Sequence, residues 1–83
     1  MRLRDDVEWC VVGGEIVAID PGTSSCVAIN RSGAALWPAL AEGADEAQLL
    51  RELTDRFGIG EAAARRDVSA FLDSLRARNL LCG

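Results

Sequence analysis

With 83 residues the chain has room for one small domain (residues 1–83), and its 49% apolar content marks it as globular rather than disordered. Thirteen acidic residues against nine basic ones give a formal charge of −4, and every basic residue is an arginine. This balance argues against nucleic acid as a partner, since phosphate neutralisation needs a positive surface, and the lack of histidine removes the commonest general base and metal ligand.

Cys10, Cys26 and Cys82 show no Cys-x-x-Cys spacing, so no metal site is expected, and three is an odd number for a disulfide framework. They read as small buried or semi-exposed thiols in a reducing cytoplasm. The first residues, Met1-Arg2-Leu3-Arg4-Asp5-Asp6, lack the apolar run of a signal peptide, and no segment approaches membrane-spanning length. A cytoplasmic protein that does not use a membrane is the expectation.

Residues 1–6 read as a charged arm or the approach to a strand. Val7-Glu8-Trp9-Cys10-Val11-Val12 is rich in strand formers, and Gly13-Gly14 supplies hairpin-turn chemistry, because positive φ costs glycine nothing. Glu15-Ile16-Val17-Ala18-Ile19-Asp20 is the return strand. Pro21-Gly22 predicts a second turn with glycine at the positive-φ place, followed by a third strand, Ser24-Ser25-Cys26-Val27-Ala28-Ile29. Three short strands joined by tight turns form an antiparallel meander, with the first and third at its edges.

After Asn30 the hydrophobic period changes to a helical one. Asn30 suits a helix N-cap, Gly33 allows a close approach, and Trp37 supplies a large ring to the core. Pro38 lacks an amide donor, which predicts a kink or a helix of only two or three turns ending at Gly43. Asp45 starts a second helix, with Gln48 as its capping-box partner and a buried stripe of Leu49, Leu50, Leu53 and Phe57. Gly58 stops it. A third helix runs from Glu61 to about Arg78, with a stripe of Ala64, Val68, Phe71 and Leu75 and with Leu72 beside it. Leu80-Leu81 is expected to fold back onto the core. The fold class is therefore α+β: a three-stranded antiparallel sheet followed by three helices, in a winged helix-turn-helix-like arrangement.

The two edges of the sheet differ in chemistry. Asp5, Asp6 and Glu8 protect the first strand, whereas residues 24–29 contain neither charge nor proline. An unguarded edge is either covered, by the third helix, by Leu80-Leu81 or by a second copy, or is kept open for a partner strand.

Taken together, Asp6-Val7-Glu8-Trp9, Gly14-Glu15, the Asp20 turn, Ile29-Asn30-x-x-Gly33 with Trp37, Leu53, Phe57-Gly58, Asp67-Val68-x-x-Phe71-Leu72-x-x-Leu75 and Leu80-Leu81 resemble the PqqD-like family. These are small peptide-binding proteins, also called RiPP recognition elements, that serve ribosomally made and modified peptides. The resemblance spans nearly the whole chain. It implies a non-catalytic adaptor that holds a precursor's leader peptide as a fourth antiparallel strand along residues 24–29, against the third helix. On that likeness the backbone of Cys26, Val27, Ala28 and Ile29 supplies the ladder, and Val27 or Ile29 with Val68, Phe71, Leu72 and Leu75 lines apolar pockets. Asp67, Ser74 and Arg78 then add polar contacts along one flank.

The small, stand-alone form looks like that of lasso-peptide pathways, in which a leader peptidase and a cyclase are the partner enzymes. A carrier for a radical-SAM enzyme, as in pyrroloquinoline quinone biosynthesis, is the alternative within the family. Outside it stands a winged-helix transcription regulator using Arg65, Arg66, Arg76 and Arg78, opposed by the acidic balance and by Asp67 and Asp73 on the same helix. No cofactor is implied. Without a histidine or another evident base, no cysteine reads as a nucleophile.

Overall fold

In the computed structural model, residues 1–82 are described, in the order β1 (Arg2–Leu3), β2 (Glu8–Val12), β3 (Glu15–Ile19), β4 (Cys26–Ile29), α1 (Arg31–Glu42), α2 (Glu46–Phe57), α3 (Glu61–Ala77) and β5 (Leu81–Cys82). Strands β2, β3 and β4 form an antiparallel meander in that order, with Val11 opposite Ile16 and Ala18 opposite Val27. Gly13 and Gly14 both adopt positive φ, 59° and 82°, which is the two-residue turn that suits the twist of a hairpin.

The second turn differs from its sequence reading. Ser24, not Gly22, holds the positive φ of 59°. The cause is Asp20, whose Oδ1 accepts the Gly22 amide at 2.8 Å while its carbonyl accepts the Ser24 amide at 2.7 Å. This side-chain turn lengthens the loop, so β4 begins at Cys26 rather than Ser24.

Alternation along the strands defines the inner face. Ile16, Ala18, Val27 and Ile29 are buried and join Leu36, Trp37, Leu40, Leu49, Leu53, Ala64, Val68, Leu72, Leu75 and Leu80 in one core. Asn30 caps α1 by accepting the Gly33 amide at 2.8 Å. Pro38 does not stop this helix, which runs for 12 residues to Gly43. Its ring is exposed, and the loss is confined to the helical donor for the Ala34 carbonyl.

Asp45 accepts the Gln48 amide at 2.8 Å, which is the first half of the expected capping box. Of the α2 stripe, Leu49 and Leu53 are fully buried, Leu50 is half-buried, and Phe57 at the last turn is 38% exposed. On α3 the core position belongs to Leu72, and Phe71 is only half-buried because its ring turns toward β4.

The terminal segments make their own sheet. Arg2–Leu3 pairs with Leu81–Cys82, burying Leu3 and Leu80, and Met1 and Ala44 exchange hydrogen bonds of 3.0 and 2.8 Å. The start of the chain is thus a short strand, not a loose arm. Asp5 and Asp6 lie before β2 and pair with Arg2 and Arg4.

Candidate functional site

The outer edge of β4 has no strand beside it among the described residues, since β5 pairs with β1 instead. The direction of its free groups follows from the register. The Asp20 amide donates to the opposed Ser25 carbonyl at 2.9 Å, and bonded pairs recur at every second position of an antiparallel ladder. Ala18–Val27 and Ile16–Ile29 are therefore bonded pairs, while Val17–Ala28 and Ile19–Cys26 are not. The N–H and C=O groups of Cys26 and Ala28 consequently point away from β3, out of the open edge.

Between this edge and α3 runs a groove of about 290 Å³. Its sheet wall consists of Val27, Ala28 and Ile29, and its helix wall includes Asp67, Phe71, Ser74, Leu75 and Arg78. These helix positions fall at i, i+4, i+7, i+8 and i+11, which places them on one face. The structure thus brings together eight of the side chains named from the sequence.

Cys26, Val68 and Leu72 do not line the groove. Cys26 is exposed on the outer sheet face and reaches the edge only through its backbone, and Leu72 is fully buried in the core. Val68 faces the opposite flank of α3, where a larger hollow of about 460 Å³ lies against Glu46, Ala47, Leu50, Arg65 and Ser69. That hollow has no open backbone edge.

Asn30, Ser32 and Ala70 line the groove without having been singled out for it. Ala70 shares the Asp67–Arg78 face at i+3, a spacing that was visible in the sequence. Asn30 was legible as a cap. That its side chain also borders the groove follows from the immediate passage of β4 into α1. The Ser32 hydroxyl donates to Asn30 Oδ1 at 3.2 Å, which leaves a small polar rim at this end.

The floor depends on a glycine. A β-carbon at Gly33 would stand 2.7 Å from Phe71 Cε1, 2.9 Å from Ile29 Cγ2 and 3.0 Å from Asn30 Oδ1. Asp67, Ser74 and Arg78 are exposed, and neither Asp67 nor Arg78 has an ion pair among the described residues. The three cysteines are free and, contrary to the expectation of buried or semi-exposed thiols, all exposed, and no cluster of three or more potential metal ligands occurs among the described residues. Among the described residues no helix is long and apolar enough to cross a membrane.

A small α+β domain with a hairpin wing, a helix-turn-helix and one open sheet edge facing its last helix is the class these features define. Residues 15–81 match the family model described as "Coenzyme PQQ synthesis protein D (PqqD)", and the chain belongs to this PqqD family. Among solved structures, "TbiB1 in Complex with the TbiA(beta) Leader Peptide" has the same fold, with a TM-score of 0.90 at 23% sequence identity. The alignment covers 100% of this chain and 96% of that one. No match was found among curated proteins.

Proposed function

We propose that this protein is a non-catalytic adaptor that captures the leader segment of a ribosomally made precursor as a fourth antiparallel strand on β4, in the groove against α3. The observation that carries the reading is the open edge of β4, where the backbone groups of Cys26 and Ala28 point away from β3 and Ala28 borders the groove against α3. Strand addition satisfies such groups with main-chain hydrogen bonds, each contributing about 1 kcal/mol net. Membership of the PqqD family and the solved complex of TbiB1 with a leader peptide support this choice of ligand.

In this reading the protein presents the captured leader to enzymes that modify it. The partners we favour are a leader peptidase and a cyclase of a lasso-peptide pathway, with a radical-SAM enzyme as the alternative. The winged shape is also used to bind DNA, but Arg65 and Arg76 on α3 are engaged by Glu61 and Asp73, and the net charge is −4. This charge favours a peptide over a phosphate backbone.

The test is titration with a fluorescent leader peptide encoded beside the gene, together with amide hydrogen exchange. Binding should slow exchange at Cys26 and Ala28 selectively. A leader that does not bind, or that binds without protecting those two amides, would overturn strand addition at this edge.

A further inference from the structure

Resting on that strand-addition reading, we infer that the groove also sets the charge order of the peptide it accepts. It takes a cationic side chain toward the peptide's N-terminus and an anionic one about five residues later.

The argument begins with direction. Phe71 Cε1 and Ile29 Cγ2 lie 2.7 and 2.9 Å from the place a β-carbon on Gly33 would take, which sets the middle of α3 against the C-terminal end of β4. Asp67 lies one turn before Phe71 on the same face of the helix wall. Arg78 lies about two turns after Phe71, and the carbonyl of the next residue, Asn79, accepts from Arg4 at 3.1 Å. The Arg4 carbonyl accepts the Val7 amide at the end of the sheet where Glu8, Ile19 and Cys26 are in register, so Arg78 stands toward the start of β4. Helix α3 therefore runs opposite to β4 along the groove. A strand antiparallel to β4 runs with α3, its N-terminal end at Asp67 and its C-terminal end at Arg78.

Charge then distinguishes the two ends. Asp67 and Arg78 make no ion pair among the described residues, whereas Arg65 is tied to Glu61 and Arg76 to Asp73. Between the two free charges the helix wall presents Phe71, Leu75 and uncharged Ser74. Eleven residues of helix span about 16 Å, which an extended peptide covers in about five residues. A peptide of the opposite charge order would meet like charge at both ends.

The test uses a phage-displayed library of random 12-residue peptides, panned against the wild type and against the Asp67→Arg/Arg78→Asp double variant. The wild type should enrich Lys or Arg about five residues before Asp or Glu, and the double variant should enrich the reverse order. Synthetic versions of one selected peptide and its charge-exchanged twin then give affinities by fluorescence anisotropy. The twin should bind the wild type about fivefold more weakly, with the preference inverted on the double variant and shrinking as salt is added. Asp67→Asn and Arg78→Gln, each neutral and exposed, should flatten the preference at one end apiece, which provides a check independent of the double variant's folding.

Enrichment of the same motif by both proteins, or of peptides without charge order, would overturn this inference and leave peptide capture standing. Enrichment of no peptide by the wild type would count against both.

Discussion

Gly33 and Phe71 meet across the junction of sheet and helix so closely that a single added methyl group would stand 2.7 Å from the ring. Gly33 sits in the first turn of α1, Phe71 in the middle of α3, and Ile29 closes the contact from β4. One residue thus couples the end of the edge strand to the floor of the groove. In Gly33→Ala the buried Ile29 has little freedom to move, whereas the half-buried Phe71 ring can swing into the groove. Overpacking of this kind costs about 1–3 kcal/mol. Urea denaturation should show that loss, and the displaced ring should weaken binding of the leader peptide. Unchanged stability in Gly33→Ala would refute the tight contact.

Proline substitutions at adjacent positions of β4 should have opposite consequences. Ala28→Pro removes an amide that faces the open edge, a place where sheets tolerate proline, so the fold should survive while strand addition is lost. Ile29→Pro removes an amide directed at Ile16 within the sheet, so it should destabilise the domain itself. Circular dichroism and thermal melts, run beside peptide titration, separate the two effects. Wild-type affinity in a folded Ala28→Pro protein would exclude β4 as the docking strand.

This distinction also marks where sequence reasoning stopped. The lack of charge and proline in residues 24–29 identified the unguarded edge, but the side on which each amide lies depends on the register, which Asp20 and its turn determine. The Pro21-Gly22 pair gave no sign that Ser24 would take the positive φ, because that outcome rests on two hydrogen bonds to Asp20. On α3 the helical period located the stripe. It could not tell Leu72, sealed in the core, from Phe71, which faces the groove, since both lie within the apolar arc. Which of them meets the sheet depends on the rotation of the helix against β4, a tertiary property. The closing of the N-terminal arm by β5 was equally out of reach, as two-residue strands carry no periodicity.

At the start of α1, Asn30 Oδ1 accepts both the Gly33 amide and the Ser32 hydroxyl. Asn30→Ala leaves the helix amide without its cap and should cost about 1 kcal/mol. Asn30→Asp retains the acceptor and adds a negative charge at the positive end of the helix dipole, so it should be close to neutral or slightly stabilising. Chemical denaturation of the three proteins checks this order. Equal losses in both variants would show that the amide nitrogen of Asn30, rather than its oxygen, matters.

The ring of Trp37 is fully buried, yet its Nε1 has no hydrogen-bond partner. The ring serves as packing mass: it meets Trp9 edge-on, with centroids 6.0 Å apart at 72°, and Trp9 itself remains 42% exposed on the inner face of the wing. Two terms oppose each other in Trp37→Phe. The smaller ring leaves a void, whereas removing an unpaired donor returns a desolvation cost of about 1–3 kcal/mol. The net loss should therefore stay below about 1.5 kcal/mol, against about 3–5 kcal/mol for Trp37→Ala, which has no such compensation. For a domain whose total stability is on the order of 5–15 kcal/mol, the alanine variant should be visibly frayed at 37 °C and the phenylalanine variant should not. Denaturant midpoints of the two proteins decide it. A phenylalanine variant as unstable as the alanine one would mean that the indole nitrogen is bonded in solution, with a water reaching it beneath the wing.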